Sequence, residues 1–314
     1  MSGDGVRSAL IITNPQSGHG SGPEFASDAA AHLRGEGWRA EVAVTTCSGD
    51  ATEIARERGD HFDVVFSCGG DGTLNEVVSG VVGRDVTVGV IPAGTANDLA
   101  RAAGVSLDPS EAIAQLDSGH SLEIDLLEIN DGEWWSAVAV GVGIDARTVK
   151  RAESLGRTVI GRASYLAAVT TELAEEYDTQ LSLAIDGEKW EGDALLVQVA
   201  NCPNHGGRFT IAPCAQIDDG RLDVVLIEST TRGRALEMIP LAMAGRHIDQ
   251  PEVRRWSARE LTIEQPGPGP VLIDGEVRQQ ESLHIRIAPG KLRLWLPDDR
   301  YATGSLTPAH RSVS

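Results

Sequence analysis

In the first third of the chain, short apolar blocks alternate with amphipathic stretches. Ser8 to Thr13 (SALIIT) is a continuous apolar run closed by Asn14-Pro15, which predicts a buried strand and then a loop. Pro23 to Gly35 has helical spacing and ends on a glycine suited to cap it. Arg39 to Thr45 alternates as a strand, and Asp50 to Arg58 reads as a helix. Asp63 to Ser67 (DVVFS) and Val86 to Ile91 (VTVGVI) are further buried strands. Helices are predicted over Thr73 to Val82 and Ala96 to Ala103. This order predicts a parallel sheet with helices on both faces and ligands at the C-terminal ends of its strands.

The pattern changes near Ser121. Strand signals dominate: Leu122 to Ile129, Trp134 to Val140, Gln180 to Ile185, Asp193 to Ala200, Leu222 to Ile227, Leu261 to Glu264, Leu283 to Ile287 and Leu292 to Leu296. Asp-Gly pairs at 131–132, 186–187, 219–220 and 274–275 read as hairpin turns. An antiparallel β-sandwich follows, with helical inserts at Arg162 to Tyr177 and Arg232 to Ala244. Glu264 to Pro270 (EQPGPGP) reads as a loop, and the tail from Pro308 as frayed.

Length and composition fit this plan. The 314 residues are enough for two cores, and 41% of them are apolar. No apolar run is long enough to span a membrane, and the N-terminus does not read as a signal peptide. Four dispersed cysteines with no CxxC pair suggest a reducing cytoplasm. Acids number 46 against 27 Lys and Arg, a net charge of −19, and Lys150, Lys189 and Lys291 are the lysines. Such a surface excludes a basic nucleic-acid stripe. Two sources of the acidity stay open: a high-salt cytoplasm whose ions screen self-repulsion, or an Arg-biased genome.

Candidate chemistry lies at the ends of the parallel strands, in Asn14-Pro15-Gln16-Ser17-Gly18, Gly69-Gly70-Asp71-Gly72-Thr73 and Pro92-Ala93-Gly94-Thr95-Ala96-Asn97-Asp98. Glycine lets backbone N–H groups approach phosphate, and helix N-termini at Thr73 and Ala96 would add positive dipole ends. Thr73 and Thr95 can cap those helices or bind phosphate oxygens. Each turn alone could be a plain βα loop; on one sheet together they point to a triphosphate site. No GxxxxGK[ST] loop is present. A carboxylate at such a site needs a cation or a proton to handle, so Asp71 is a candidate ligand to Mg2+ or water, or a base.

These turns, extended to Gly69-Gly70-Asp71-Gly72-Thr73-x-Asn75-Glu76 and Pro92-x-Gly94-Thr95-x-Asn97-Asp98-x-x-Arg101, resemble the catalytic domain of diacylglycerol and sphingosine kinase-type lipid kinases. Gly141-x-Gly143-x-Asp145, Asn201 with Gly206-Gly207, Ala212-Pro213-x-Ala215, Asp218-Asp219-Gly220-x-Leu222-Asp223 and Asp274-Gly275-Glu276 extend the resemblance over most of the chain. It implies a three-layer, doubly wound α/β nucleotide-binding domain over 1–122, with a C-terminal return at about 298–314, and a β-sandwich acceptor domain over 123–297. Asn14, Pro15, Ser17, Gly18, Thr45, Gly69 to Thr73, Asn75, Glu76, Gly94, Thr95 and Asn97 are the implied ATP-binding positions. Glu276 is the implied general base, acting with Asp71 in an interdomain cleft. Gln216, Asp219 and Arg221 are the implied Mg2+ site, with the Asp219 side chain between two main-chain carbonyls and Asp98 acting through water.

The implied partners are ATP, Mg2+, a lipid with a free hydroxyl and a transient membrane surface, with a homodimer as a further expectation. An NAD kinase-like phosphotransferase and a silent nucleotide-binding regulator are the alternatives. Gly141 to Ala146 also reads as GxGxxA, but lacks the acid expected after a second strand. Cys202, His205 and Cys214 match no common zinc spacing and read as loop residues, as does His19 beside the first turn. The stripe Leu166, Val169, Thr170 and Leu173 reads as core before it reads as a membrane edge.

Overall fold

The computed structural model describes residues 6–154, 169–173, 178–207 and 209–297. It divides into two compact units: one runs over Met1–Ile124 and resumes at Gly290, and the other is Asp125–Pro289.

The first unit is built from β1 (Ser8–Thr13), α1 (Gly22–Gly35), β2 (Arg39–Val44), α2 (Asp50–Arg58), β3 (Val64–Gly69), α3 (Asp71–Val81), β4 (Thr87–Pro92), α4 (Asp98–Ala102) and α5 (Pro109–Ile113). Its strands run in the order β2-β1-β3-β4, all parallel. The order reverses between β1 and β3, the kind of switch point where such sheets open a crevice beyond the strand ends. Ile11, Phe66, Ile91 and Leu33 pack its core with Ala26, Ala29 and Ala30 of α1. Gly89 lies opposite Phe66, and a Cβ there would fall 2.2 Å from the Phe66 ring. Arg293 and Leu294 pair in parallel with Thr87 and Val88 of β4. Trp295 meets Trp38 edge to face at 6.0 Å, and Arg7 lies over both rings. The expected return at 298–314 lies outside the described residues.

The second unit is antiparallel. Its strands are the end of β5 (Gly119–Ile129), β6 (Trp134–Ser136), β7 (Ala139–Gly143), β8 (Thr179–Ile185), β9 (Glu188–Ala200), β10 (Leu222–Glu228), β11 (Val253–Ala258), β12 (Glu260–Ile273) and the first part of β13 (Glu276–Pro297). The order is β11-β10-β9-β7-β12-β13, and β8 pairs with both β9 and β12, so the sheet closes on itself. Val140, Val142, Leu183, Val197, Val199, Val224 and Ile263 fill the space inside. Two helices, α6 (Ile144–Ser154) and α7 (Arg232–Met243), belong to this unit. The architecture is the α/β domain followed by a β-sandwich that the sequence predicts.

Several elements differ from expectation for local reasons. The strand expected over Trp134 to Val140 is split into β6 and β7. Between them the N–H groups of Ala137, Val138 and Ala139 donate to the Asp274 carboxylate. The expected loop at Glu264 to Pro270 lies inside β12, where the pairing register shifts between Glu264 and Gly269. The runs at Leu283 and Leu292 are parts of one strand, β13. Charged β11 (VRRWSA) and the helix α6 carry no expectation from the sequence. Asp186-Gly187 and Asp274-Gly275 have positive φ at both positions and form two-residue hairpins. Asp219-Gly220 does not: it precedes β10, and only its glycine has positive φ. Of the expected helical insert at Arg162 to Tyr177, residues 169–173 are helical and the rest lie outside the described residues.

Candidate functional site

All three glycine-rich turns leave the C-terminal ends of neighbouring strands. After β1, Asn14 closes an Asx turn: its Oδ1 accepts from the Gln16 N–H at 2.8 Å and its carbonyl from the Ser17 N–H at 3.0 Å. Pro15 lies within that turn, and Gly18 takes a left-handed φ of 62° with its Cα side against the Ala93 carbonyl. Thr45 is buried, and its N–H donates to the Thr13 carbonyl at 2.9 Å. The Thr13 side chain is buried, beside the Cys68 thiol.

The second and third turns lie back to back. A Cβ on Gly94 would fall 2.3 Å from the Gly70 Cα, so the third turn can carry no side chain at the contact. The Ala93 N–H donates to the Gly69 carbonyl at 2.9 Å. Gly69 itself lies under Thr73, whose hydroxyl would be 2.6 Å from a Cβ there. Asn97 sits at φ 52° and clamps Gly94 from both sides, accepting from its N–H at 3.0 Å and donating to its carbonyl at 2.9 Å. The Asp71 carboxylate accepts from the Asp98 N–H at 2.8 Å, tying the two turns together.

Neither helix begins where the sequence suggests. α3 starts at Asp71, with Gly70 as its cap, because an acid in the first turn suits the helix dipole. α4 starts at Asp98, because left-handed Asn97 cannot continue a helix. Thr73 and Thr95 therefore cap neither helix. Gly72 has open space around it, and Asn75 accepts from the Ser79 hydroxyl at 3.2 Å. Glu76 reaches the start of α2, accepting from the N–H groups of Gly49 at 3.0 Å and Ala51 at 3.1 Å.

In the second unit Glu276 opens β13 directly after the hairpin. Its carboxylate is about two-fifths exposed (41%) and accepts from Arg278 at 2.8 Å. Arg278 in turn stacks over Trp134 at 5.1 Å. The buried Asp274 anchors the hairpin: besides the three N–H groups, it accepts from the Ser136 hydroxyl at 2.5 Å. Burial pushes the Asp274 carboxyl up, and those hydrogen bonds pull it back. Sequence reading missed Arg278 and Ser136. The signal for Arg278 was its place two residues beyond Glu276, on the same face of the strand.

Around Asp219 the acids crowd. Asp219 accepts from the Arg221 N–H at 3.0 Å, and Asp125 accepts from the Gly220 N–H at 2.7 Å. Burial raises the Asp219 carboxyl, and the charges of Asp125 and Asp218 raise it further. Burial, then Asp219, pushes Asp223 up to about 7. Among the described residues no three acidic, histidine or cysteine side chains converge as a metal cage. A divalent cation held by one carboxylate and main-chain carbonyls is a different donor set, and it would relieve this crowding at Asp219. Asp98 belongs to the other unit and is buried.

Comparison with known proteins agrees with these motifs. The diacylglycerol kinase catalytic domain profile matches residues 8–129, and the YegS C-terminal NAD kinase beta sandwich-like domain profile matches residues 138–296. A diacylglycerol kinase of Mycobacterium tuberculosis is 31% identical, covering 93% of this chain and 96% of its own. A YegS-like lipid kinase of Pseudomonas aeruginosa, so named with the word "probable", is 33% identical over 92% and 93%. The crystal structure of a diacylglycerol kinase from Bacillus anthracis shares the fold, with a TM-score of 0.76, 23% identity and coverage of 95% and 99%. With both domain profiles matched in order and relatives aligned over almost their full length, this chain belongs to the diacylglycerol kinase family.

Proposed function

We propose that the chain is an ATP-dependent lipid kinase that moves the γ-phosphate of ATP to a lipid hydroxyl, with a diacylglycerol-like acceptor as the default. The observation that carries this reading is the back-to-back contact of Gly70 and Gly94, locked by the Asp71–Asp98 bond. It keeps side chains away from the point where the two turns meet, so that main-chain N–H groups not already bonded within the turns could face phosphate oxygens there.

The residues take these roles. The turns from Asn14, Gly69 and Gly94 bind and orient the triphosphate. Asp71 orients the phosphate end through a cation or water. Glu276 accepts the proton of the attacking hydroxyl, held by Arg278 so that its carboxylate is aimed rather than free. Magnesium, when bound with the nucleotide, neutralises charge on the transferred phosphoryl group. A second magnesium would be held by the Asp219 carboxylate and the carbonyls of Gln216 and Arg221, ordering the turn before β10; Asp98 would support it through water. The reading needs both units, since the phosphate turns and Glu276 belong to different ones. A membrane surface supplies the acceptor by transient contact.

Labelled ATP, a total lipid extract and NAD test this directly, at low and at molar salt. Label in an organic-extractable product, lost in Asp71→Ala and Glu276→Gln, supports the reading, and the mass of the product identifies the acceptor. Label on NAD alone, or nucleotide binding without transfer to any acceptor, sinks it.

A further inference from the structure

The helix α7 is fixed at its start. The Thr231 hydroxyl caps it, accepting from the Arg234 N–H at 3.3 Å. The Arg234 guanidinium donates to Glu252 at 2.8 Å and to Gln250 at 2.7 Å, tying the helix to the chain that follows it. Ala235, Met238 and Ala242 are its buried positions, a narrow strip at helical spacing. Its larger apolar residues lie beside that strip. Leu236, Ile239, Pro240 and Met243 share an arc roughly 100° wide, and Arg232 falls on the same arc. Leu236 is 44% exposed, Pro240 is exposed, and Ile239 and Met243 are half-buried.

Charge indicates what suits this stripe. From residue 232 to 259 six arginines stand against three acids, in a chain whose net charge is −19. Arg232 opens the stripe, and exposed Arg246 follows its far end, just after the left-handed Gly245 that ends the helix. The one acid of the helix, Glu237, is turned to Arg234 at 3.2 Å. An apolar middle with a guanidinium at each end matches hydrocarbon beneath a plane of lipid phosphates. A second copy of this chain, itself at −19, is a poorer match. Pro240 has no N–H to give the Leu236 carbonyl, which water at headgroup level can meet and a dry protein interface cannot. The 12 residues of α7 rise about 18 Å, too little to cross a hydrocarbon core of about 30 Å, so the helix lies in the plane of the bilayer.

We propose that the outer face of α7 is a docking surface for a phospholipid bilayer. Leu236, Pro240 and Met243 enter the edge of the acyl region, and Arg232 and Arg246 meet lipid phosphates. The net charge opposes approach to an anionic bilayer at long range, and the stripe holds the chain once that repulsion is screened. That the docked bilayer also supplies the phosphate acceptor rests on the kinase reading above; the docking itself does not.

Co-sedimentation of the full chain with phosphatidylcholine vesicles tests docking, without ATP and at about 1 M KCl, where screening acts over about 3 Å. The parent chain should bind. Leu236→Glu places a charge on the stripe at an exposed position and should weaken binding about tenfold or more, with the melting midpoint unchanged. Leu107→Glu makes the same change at an exposed leucine of the first unit and should bind as the parent chain does. Arg246→Gln should weaken binding by a smaller factor, about threefold, as one guanidinium–phosphate contact is lost. No binding by the parent chain, equal loss in both glutamate variants, or unchanged binding in Leu236→Glu overturns the proposal. So does a dimer in sedimentation velocity that Leu236→Glu dissociates, because a second copy then covers the stripe. Vesicle binding lost in Leu236→Glu, with no phosphate transfer to any lipid by the parent chain, upholds docking and sinks the kinase reading alone.

Discussion

The main-chain N–H of Asp98 donates to the carboxylate of Asp71 across 2.8 Å. That bond joins the turn after β3 to the turn after β4, and it uses one carboxylate oxygen. In Asp71→Asn the amide oxygen can keep this bond while the charge is lost. Phosphate transfer should then fall by about 10²-fold or more, the scale expected when a charged group at the transferring phosphate is lost. The unfolding midpoint should change little. Steady-state kinetics beside a thermal melt separates the two effects. Activity within threefold of the parent chain would assign Asp71 to loop structure alone.

Gly94 and Gly72 make a contrasting pair. Gly94→Ala forces a Cβ to within 2.3 Å of the Gly70 Cα, so the two turns must part. The expected cost is about 1–3 kcal/mol of stability, with a large loss of nucleotide affinity. Gly72 has open space around it on the first turn of α3, so Gly72→Ala should leave stability unchanged or raise it by up to ~1 kcal/mol. Equal losses of ATP binding in both variants, measured by titration, would remove the back-to-back contact as the cause.

Much of this was legible in the sequence, and the misses have physical reasons. In the first unit, strand and helix periods are distinct and each glycine turn falls at a strand end, so β1 to β4 and the position of the glycine-rich turns could be read directly. The start of α4 could not, because Asn97 in a left-handed conformation leaves no mark on hydrophobic spacing. In the second unit, Pro and Gly at 266–270 concealed the continuity of β12, since a register shift accommodates them. The break between β6 and β7 was hidden as well. Its cause, Asp274, is more than 130 residues away along the chain.

Asp274 supplies a graded test of that long-range anchor. Removing its carboxylate in Asp274→Ala strands three main-chain donors in the interior, at a cost of about 3 kcal/mol or more. Ser136→Ala removes only the hydroxyl donor and should cost about 1 kcal/mol. Hydrogen exchange at the amides of Ala137, Val138 and Ala139 reads the effect locally. Exchange should accelerate strongly in Asp274→Ala and slightly in Ser136→Ala. Unchanged protection in Asp274→Ala would show that the hairpin is held by something else.

His247 carries a pH prediction. It is fully buried, with its Nε2 3.0 Å from the Ile211 carbonyl. Burial lowers its pKa below the ordinary 6.5, the hydrogen bond to Ile211 and the charge of Asp249 oppose this, and Arg255 adds to it. The folded state therefore binds fewer protons than the unfolded state at mildly acid pH. Its contribution to stability is complete above about pH 6.5 and is lost as pH falls through the depressed value. Denaturation midpoints from pH 7.5 to 5 should fall more steeply in the parent chain than in His247→Gln. Parallel curves would mean that His247 does not titrate on unfolding.

The charge of −19 makes salt the last lever. At 0.1 M salt the screening length is about 10 Å, so neighbouring surface acids repel; at 1 M it is about 3 Å and the repulsion fades. The crowding of Asp218, Asp219 and Asp223 around one turn is the local form of the same problem. The unfolding midpoint should therefore rise as KCl goes from 0.1 to about 2 M, with most of the gain below 1 M, where the screening length changes most. Flotation with vesicles containing anionic lipid should rise over the same range, because screening also removes repulsion between the protein and the bilayer. A midpoint that is flat with salt would leave the acidic surface as a product of amino-acid usage. Flotation that falls with salt would mean that attraction between charges, rather than its screening, brings the protein to the membrane.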